Sequence, residues 1–220
     1  YTKFLRDLGL LNFDEPAKKL FHQGMLHGED GDKMSKSKGN IIDPLDLSGT
    51  YGTDALRIAL IFSTAAGNDI PLSEDKIRGM KFFTNKLWNI ARFIDMQKEQ
   101  LGHPAQTPSN HVADHEITTK IAELTNEVTK GIDAFRLHET AQSLYHFVWH
   151  EFADIYIEDV KKRMDAGAFT SLHQSFLTLL KLLHPFMPFV TEEIWSQISK
   201  ESTDPLIISP WPTSSLSSRT

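Results

Sequence analysis

Cysteine is absent from the 220 residues, so neither a disulfide nor a thiolate metal site can form, and the chain fits a reducing compartment such as the cytoplasm. Long apolar runs are absent too. None approaches the ~20 residues that a membrane span needs, and the opening Tyr-Thr-Lys-Phe-Leu-Arg is no signal peptide. Net positive charge is lacking: at −6, a uniformly basic nucleic-acid surface is excluded, and any RNA contact must come from local patches, namely Lys33 to Lys38, Lys76 to Arg92, and Lys161-Lys162-Arg163. Neither G-x-x-x-x-G-K-[ST] nor G-x-G-x-x-G occurs, which removes the P-loop and the dinucleotide fingerprint. What remains is an ordinary globular composition, 40% hydrophobic and 24% charged, long enough for one large or two small cores. With Tyr1 where an initiator Met would stand, a piece of a longer protein is expected.

Against this background the run Lys33-Met34-Ser35-Lys36-Ser37-Lys38-Gly39-Asn40-Ile41 stands out. Its lysines alternate with serines and are closed by a glycine, a concentration of donors and positive charge too polar for a core and suited to a strongly anionic partner. Gly28, Gly31 and Gly39 permit close backbone approach, and Asp43-Pro44 sets up the next helix start. The pattern predicts a phosphate-seeking loop between ordered flanks. A solvated charge run is the alternative.

Phe4, Leu5 and Leu8 predict a short helix ending near Gly9, and Leu20, Phe21, Met25 and Leu26 a strand or two leading into the loop. His22 and His27 near that edge fit either a nucleotide contact or a structural role. Helices follow from Pro44 and over Thr53 to Phe62, the second with Leu56, Ala59 and Leu60 on one face and Arg57 pointing away. Gly67-Asn68-Asp69 marks a turn. Ser73 then opens the most strongly periodic helix, with Met80, Phe83, Leu87, Ile90 and Ile94 as its seam. A neighbouring stripe, Arg78, Lys81, Asn85, Trp88 and Arg92, interleaves cations with a flat ring, as a folded RNA requires; Trp88 as core and the arginines as solvated charges is the competing reading.

Residues 101–113 have no period and form a connection. Three more amphipathic stretches follow: Ile117, Ile121, Leu124, Val128 and Phe135; Ala141, Leu144, Val148 and Ile155; Leu172, Phe176, Leu179 and Leu183. Breaks are expected at Arg136-Leu137 and at Gly167, with Gly131 a weak point inside the first stretch. The pattern predicts a mainly α chain with an antiparallel helical bundle, a short helix over Thr191 to Ile198, and a tail from Pro205 to Pro212 packed back as an extended segment. His146 and His150 lie four apart, but Phe147 stands where a zincin needs Glu, and no metal site is expected. Asp154, Glu158 and Asp159 are expected to face water, balanced by Lys161 to Arg163.

Residues 33–37 resemble, letter for letter, the KMSKS loop of class I aminoacyl-tRNA synthetases. Tyr51-Gly52-Thr53-Asp54-Ala55-Leu56-Arg57 is similar to the YGADALR segment after that loop in the valine, leucine and isoleucine enzymes. Asn85-Lys86-Leu87-Trp88-Asn89 and His184 to Trp195 resemble segments of their anticodon-binding domain. The resemblance implies the C-terminal end of a Rossmann-type catalytic domain over 1–70, followed by a helical-bundle anticodon-binding domain over 71–220. It implies ATP, with Mg²⁺ riding on it, a branched aliphatic amino acid, and tRNA as partners. It also implies roles: Lys36 meeting the ATP phosphates most directly, Lys33 supporting the closed loop, Met34 within it, and Ser35 and Ser37 as lesser donors; the helical stripe of Arg78, Lys81, Asn85, Trp88 and Arg92 described above is the expected tRNA-facing surface. The loop would be packed against the inner corner of the tRNA by the region of Arg57, which fits an RNA contact or a structural ion pair equally.

The tetrapeptide HIGH, the family's other signature, does not occur, so the chain alone is expected to be inactive in adenylate formation. Gly67 to Ile70, Asn85 to Asn89, Trp149 to Phe152 and His184 to Trp195 look most like valine enzymes. Phe4 to Gly9, Asp14-Glu15-Pro16 and Phe21 to Met25 look more like leucine enzymes. The larger share favours valine. A tRNA-binding paralogue or scaffold without catalysis is the alternative of another class.

Overall fold

The computed structural model describes residues 1–13, 15, 17, 19–22, 24–28, 34, 43–62, 67–199 and 204–213. It is mainly α, with one small parallel strand pair near the N-terminus.

α1 (Thr2–Asp7) stops as expected at Gly9, whose φ of +70° allows the turn, and it buries none of its own residues. β1 (Leu26–His27) is far shorter than the apolar run suggested. It pairs in parallel with β2 (Ile70–Pro71), and Ile70 N–H donates to Met25 O at 2.8 Å. Parallel strands need a crossover, supplied by α2 (Pro44–Tyr51) and α3 (Thr53–Phe62). Asp43 caps α2, accepting from Leu45 N–H at 2.8 Å with Pro44 at the first helical position. Gly24 explains why the chain before β1 lies so close to the turn before β2. A Cβ there would sit 1.6 Å from Asn68 O. Gly24→Ala is therefore expected to prise the pair apart and cost about 1–3 kcal/mol, measurable as a lowered urea midpoint.

α4 (Glu74–Gln100) is capped by Ser73 Oγ, which accepts from Lys76 N–H, while Glu74 and Asp75 complement the helix dipole. Its predicted seam, Met80, Phe83, Leu87, Ile90 and Ile94, is buried throughout. α5 (Val112–Asp133) ends in a turn in which Phe135 N–H donates to Ile132 O and Arg136 N–H to Gly131 O, with Phe135 at φ +58°. Its ring meets Phe21 at 5.8 Å, so the strained position ties the N-terminal segment to the bundle. Gly131 is a close approach, since a Cβ there would lie 2.1 Å from Thr140 Oγ1 on α6 (Leu137–His146).

α6 does not continue as a regular helix. Phe147–Ile157 is π-helical and passes into α7 (Glu158–Val160). Bonds from i to i+5 widen the turn and shift the inward register, which corrects one expectation: Ala141, Leu144 and Val148 are buried, but Ile155 is 62% exposed and Phe152 and Tyr156 take the inner positions. α8 (Ala166–Leu183) starts at Asp165, whose side chain caps Ala168 N–H, so Gly167 lies inside the first turn and is not the break. α9 (Pro188–Ile198) completes the bundle. The tail packs back through one 3₁₀ turn, Leu206–Ile208. Glu192 accepts from Leu206 and Ile207 N–H, and Trp211 Nε1 donates to Thr129 Oγ1 at 2.9 Å.

One core runs from Leu47 and the α3 face through α4, α5, α6, α8 and α9. α3 packs on both α4 and α6, so the crossover helices share the bundle's interior. Among the described residues, no helix is long and apolar enough to cross a membrane.

Candidate nucleic-acid interface

Lys33, Ser35, Lys36 and Ser37 lie outside the described residues. Met34 is half-buried and packs against the core. On the strand side, His27 Nε2 lies 3.2 Å from Asp69 Oδ2, and Asp69 Oδ1 accepts from Met25 N–H, which gives His27 a structural partner; His22 is exposed. On the helix side, α2 and α3 are tied to the bundle at several points. Tyr51 OH donates to Glu74 Oε2 at 2.8 Å, a bond that raises the phenol's pKa. Lys81 Nζ donates to Thr50 O at 2.9 Å and lies over the Tyr51 ring. Arg57 Nη2 reaches Pro185 O at 3.5 Å, and Asp54 Oδ2 accepts from Val190 N–H at 2.6 Å.

The stripe on α4 does face outward, but its members divide. Asn85 and Arg92 are exposed, and Arg92 has no ion-pair partner among the described residues. Arg78 is exposed yet paired with Asp75 one turn back. Lys81 is engaged at the α2 joint, and Trp88 is half-buried against the core. Lys161 pairs with Glu158 and covers Phe93, and Arg163 is held by Asp114 and Asp159, which leaves Lys162 as the exposed cation of that patch with no partner among the described residues.

Sequence reasoning missed a second aromatic and basic cluster beside the stripe. Trp149 stacks on Tyr145 at 5.6 Å and on Phe83 at 6.2 Å, and Lys86 Nζ lies 5.3 Å over its ring while pairing with Asp154 at 3.0 Å. The i, i+4 pair Tyr145 and Trp149 was the available signal. His146 and His150 have ring centroids 5.0 Å apart, and His150 Nδ1 faces Asp154 Oδ2 at 3.5 Å. Among the described residues no group of three His, Cys, Asp or Glu is placed to hold a metal.

Two buried acids hold this surface together. Asp114 is 2% exposed and accepts from both Arg163 Nη atoms, at 2.9 and 2.6 Å, from Tyr156 OH at 2.7 Å and from Ser109 Oγ. Burial alone pushes its pKa up, but the bonds from Arg163, Ser109 and Tyr156 bring it below the ordinary carboxylate value. Asp54 has no such salt bridge, and burial raises its pKa. Burial also lowers that of His184, against Glu192 and Asp54, while His184 Nδ1 lies 2.9 Å from Thr191 Oγ1.

Two family models match the chain. One, described as tRNA synthetases class I (I, L, M and V), covers residues 8–73, and the other, the anticodon-binding domain of tRNA ligase, covers residues 114–219. The fold and both matches define a class I aminoacyl-tRNA synthetase architecture: a strand remnant and crossover helices followed by the anticodon-binding bundle. A Valine--tRNA ligase of Solibacter usitatus is 40% identical over 190 residues, which span 86% of this chain and 22% of that protein. A Valine--tRNA ligase of Dehalococcoides mccartyi is 38% identical over 219 residues, 93% of this chain and 24% of that protein. Among solved structures, the ternary LeuRS-tRNA-LeuAMS complex from Agrobacterium radiobacter superposes with a TM-score of 0.81 at 26% identity, over 97% of this chain and 26% of that one. The chain belongs to the class I aminoacyl-tRNA synthetases of the valine and leucine subgroup, and it spans about a quarter of the length of the curated relatives it matches.

Proposed function

We propose that this chain supplies the phosphate-stabilising loop and the tRNA-gripping bundle of a valine–tRNA ligase, which joins valine to ATP as valyl-adenylate, releasing pyrophosphate, and passes the acyl group to the terminal ribose of tRNA. The observation that carries the reading is the K-M-S-K-S run at residues 33–37 directly before α2, in a chain whose valine-ligase relatives reach 40% identity. The 26% identity to the LeuRS favours valine over leucine. Mg²⁺ enters with ATP as part of the substrate. We place the boundary between the catalytic end and the RNA-binding bundle at residues 70 and 71, within the two-residue β2 that closes the strand pair shortly before Ser73 opens α4. In this reading Lys33 and Lys36, with Met34, Ser35 and Ser37, close on the ATP phosphates, while Arg78, Asn85 and Arg92 face tRNA, with Trp88 and Lys81 supporting them. Aminoacylation of tRNA by the full-length protein with valine, leucine and isoleucine in parallel tests it; preference for leucine overturns the assignment to valine.

The exposed arginines make a separate prediction. In the full-length protein, Arg78→Ala with Arg92→Ala is expected to weaken tRNA binding about tenfold and to flatten the slope of log K against log salt by about 1 to 2. Arg92 contributes more, because Arg78 is already partly neutralised by Asp75. Fluorescence anisotropy across a salt series measures both, and an unchanged slope assigns the arginines to the solvated face.

A further inference from the structure

α3 follows the phosphate loop in the chain and α9 belongs to the bundle, and one buried carboxylate joins them. Asp54 is 4% exposed, and its Oδ2 takes the Val190 N–H at 2.6 Å from 136 residues away. α9 needs that acceptor: it begins at Pro188, and its N-cap residue, Met187, offers no side-chain cap. Asp54 therefore performs from a neighbouring helix what Ser, Thr or Asp usually does from the N-cap position, with its charge at the favourable end of the dipole. A second tie lies alongside, Arg57 Nη2 to Pro185 O, in the turn that leads into α9.

The arrangement carries a cost. Among the described residues Asp54 Oδ1 is buried without a hydrogen-bond partner, and burial disfavours the ionised form against the opposing influence of the Val190 and Phe189 N–H groups, Arg57 and His184. Apolar packing of α3 on α9 alone would avoid this cost. What a directional bond adds is register: packed apolar faces tolerate sliding, whereas a cap fixes one residue of α3 against the first turn of α9.

We propose that Asp54 is a positioning residue that locks the helix behind the phosphate loop to α9, so that a tRNA held by the bundle is presented at a fixed place relative to the loop. This rests on the functional reading above, in which loop and bundle serve one reaction.

In the full-length protein, Asp54→Ala is expected to lower the kcat of tRNA charging about tenfold, while amino-acid-dependent pyrophosphate exchange and the Kd for tRNA change less than about twofold. Amides around Val190 should exchange with deuterium faster. Asp54→Asn keeps an acceptor oxygen and is expected to restore Val190 protection and to keep kcat within about threefold of the parent. An unchanged kcat in Asp54→Ala, a parallel fall of charging, exchange and tRNA affinity, or an Asn variant as impaired as the Ala variant overturns the proposal. If Asp54→Ala fails to fold, Asp54→Leu, which fills the buried space but offers no acceptor, takes its place in each of these comparisons. A parent protein that charges no tRNA overturns the functional reading and with it the positioning role, and the Val190 exchange rate then decides the clasp itself.

Discussion

Lys36→Ala in the full-length protein is expected to lower the kcat of valine-dependent pyrophosphate exchange by about 10²–10³-fold. In the proposed reaction valine's carboxylate would attack the α-phosphate of ATP and negative charge would accumulate on the departing pyrophosphate, so catalysis there is positioning and charge stabilisation. An ammonium that reaches those oxygens as the charge grows stabilises the transition state more than the ground state, so its removal acts on kcat and leaves the KM for valine nearly unchanged. Lys36→Arg keeps the charge but replaces a compact ammonium with a broad planar fork, and is expected to recover part of the rate. The Kd for tRNA should rise by less than about threefold, because the main contacts proposed for RNA lie on α4 and Lys36 is one cation among several in the loop. Exchange within about threefold of the parent in Lys36→Ala would remove the phosphate role from the loop.

How much of this was visible in the sequence varied with the range of the interactions involved. α4 was legible in full, since its cap, first-turn acids and buried seam are all local features of residues 73–94. Asp43 and Pro44 announced α2 for the same reason. The π-helical stretch was not legible: nothing in Phe147–Ile157 distinguishes i to i+5 bonding from a regular helix, so Ile155 was given an inward place that Phe152 and Tyr156 occupy. Gly131 looked like a helix weakness because its partner, Thr140, lies across the α5–α6 turn. The candidate site shows the same division. The lysine loop could be recognised by its letters, and the stripe on α4 by its period. That Lys81 is engaged with Thr50 and Arg163 with Asp114 depends on partners 31 and 49 residues away, which no local pattern encodes. Asp54 and Asp114 lie in the first turns of α3 and α5, where the local pattern carries no sign that they are buried joints.

Asp114→Ala is expected to destabilise the protein by about 3–5 kcal/mol, the range for removing one partner of a buried ion pair. At about 2–4 °C per kcal/mol for a chain of this size, the bundle's melting transition should fall by roughly 10 °C. The loss exceeds that of an ordinary salt bridge because of what is stranded. Arg163, 18% exposed, keeps only its Nε bond to Asp159, and Tyr156 and Ser109 lose an acceptor. Those groups join the 101–113 connection, the start of α5, the π-helical stretch and the approach to α8, so one deletion loosens four segments. The double variant Asp114→Leu with Arg163→Met tests the cause. With no charge left buried it should be more stable than Asp114→Ala, whereas losses that simply add would mean that Asp114 and Arg163 contribute independently of each other, which overturns the stranded-charge explanation. Acid supplies an independent check. Because the folded pKa of Asp114 lies below its ordinary 3.8, its stabilisation is fully present above that value and lost as pH falls through the lowered one. Stability of the parent should therefore drop more steeply below about pH 4 than that of the double variant, in which no carboxylate remains at this site to take up a proton.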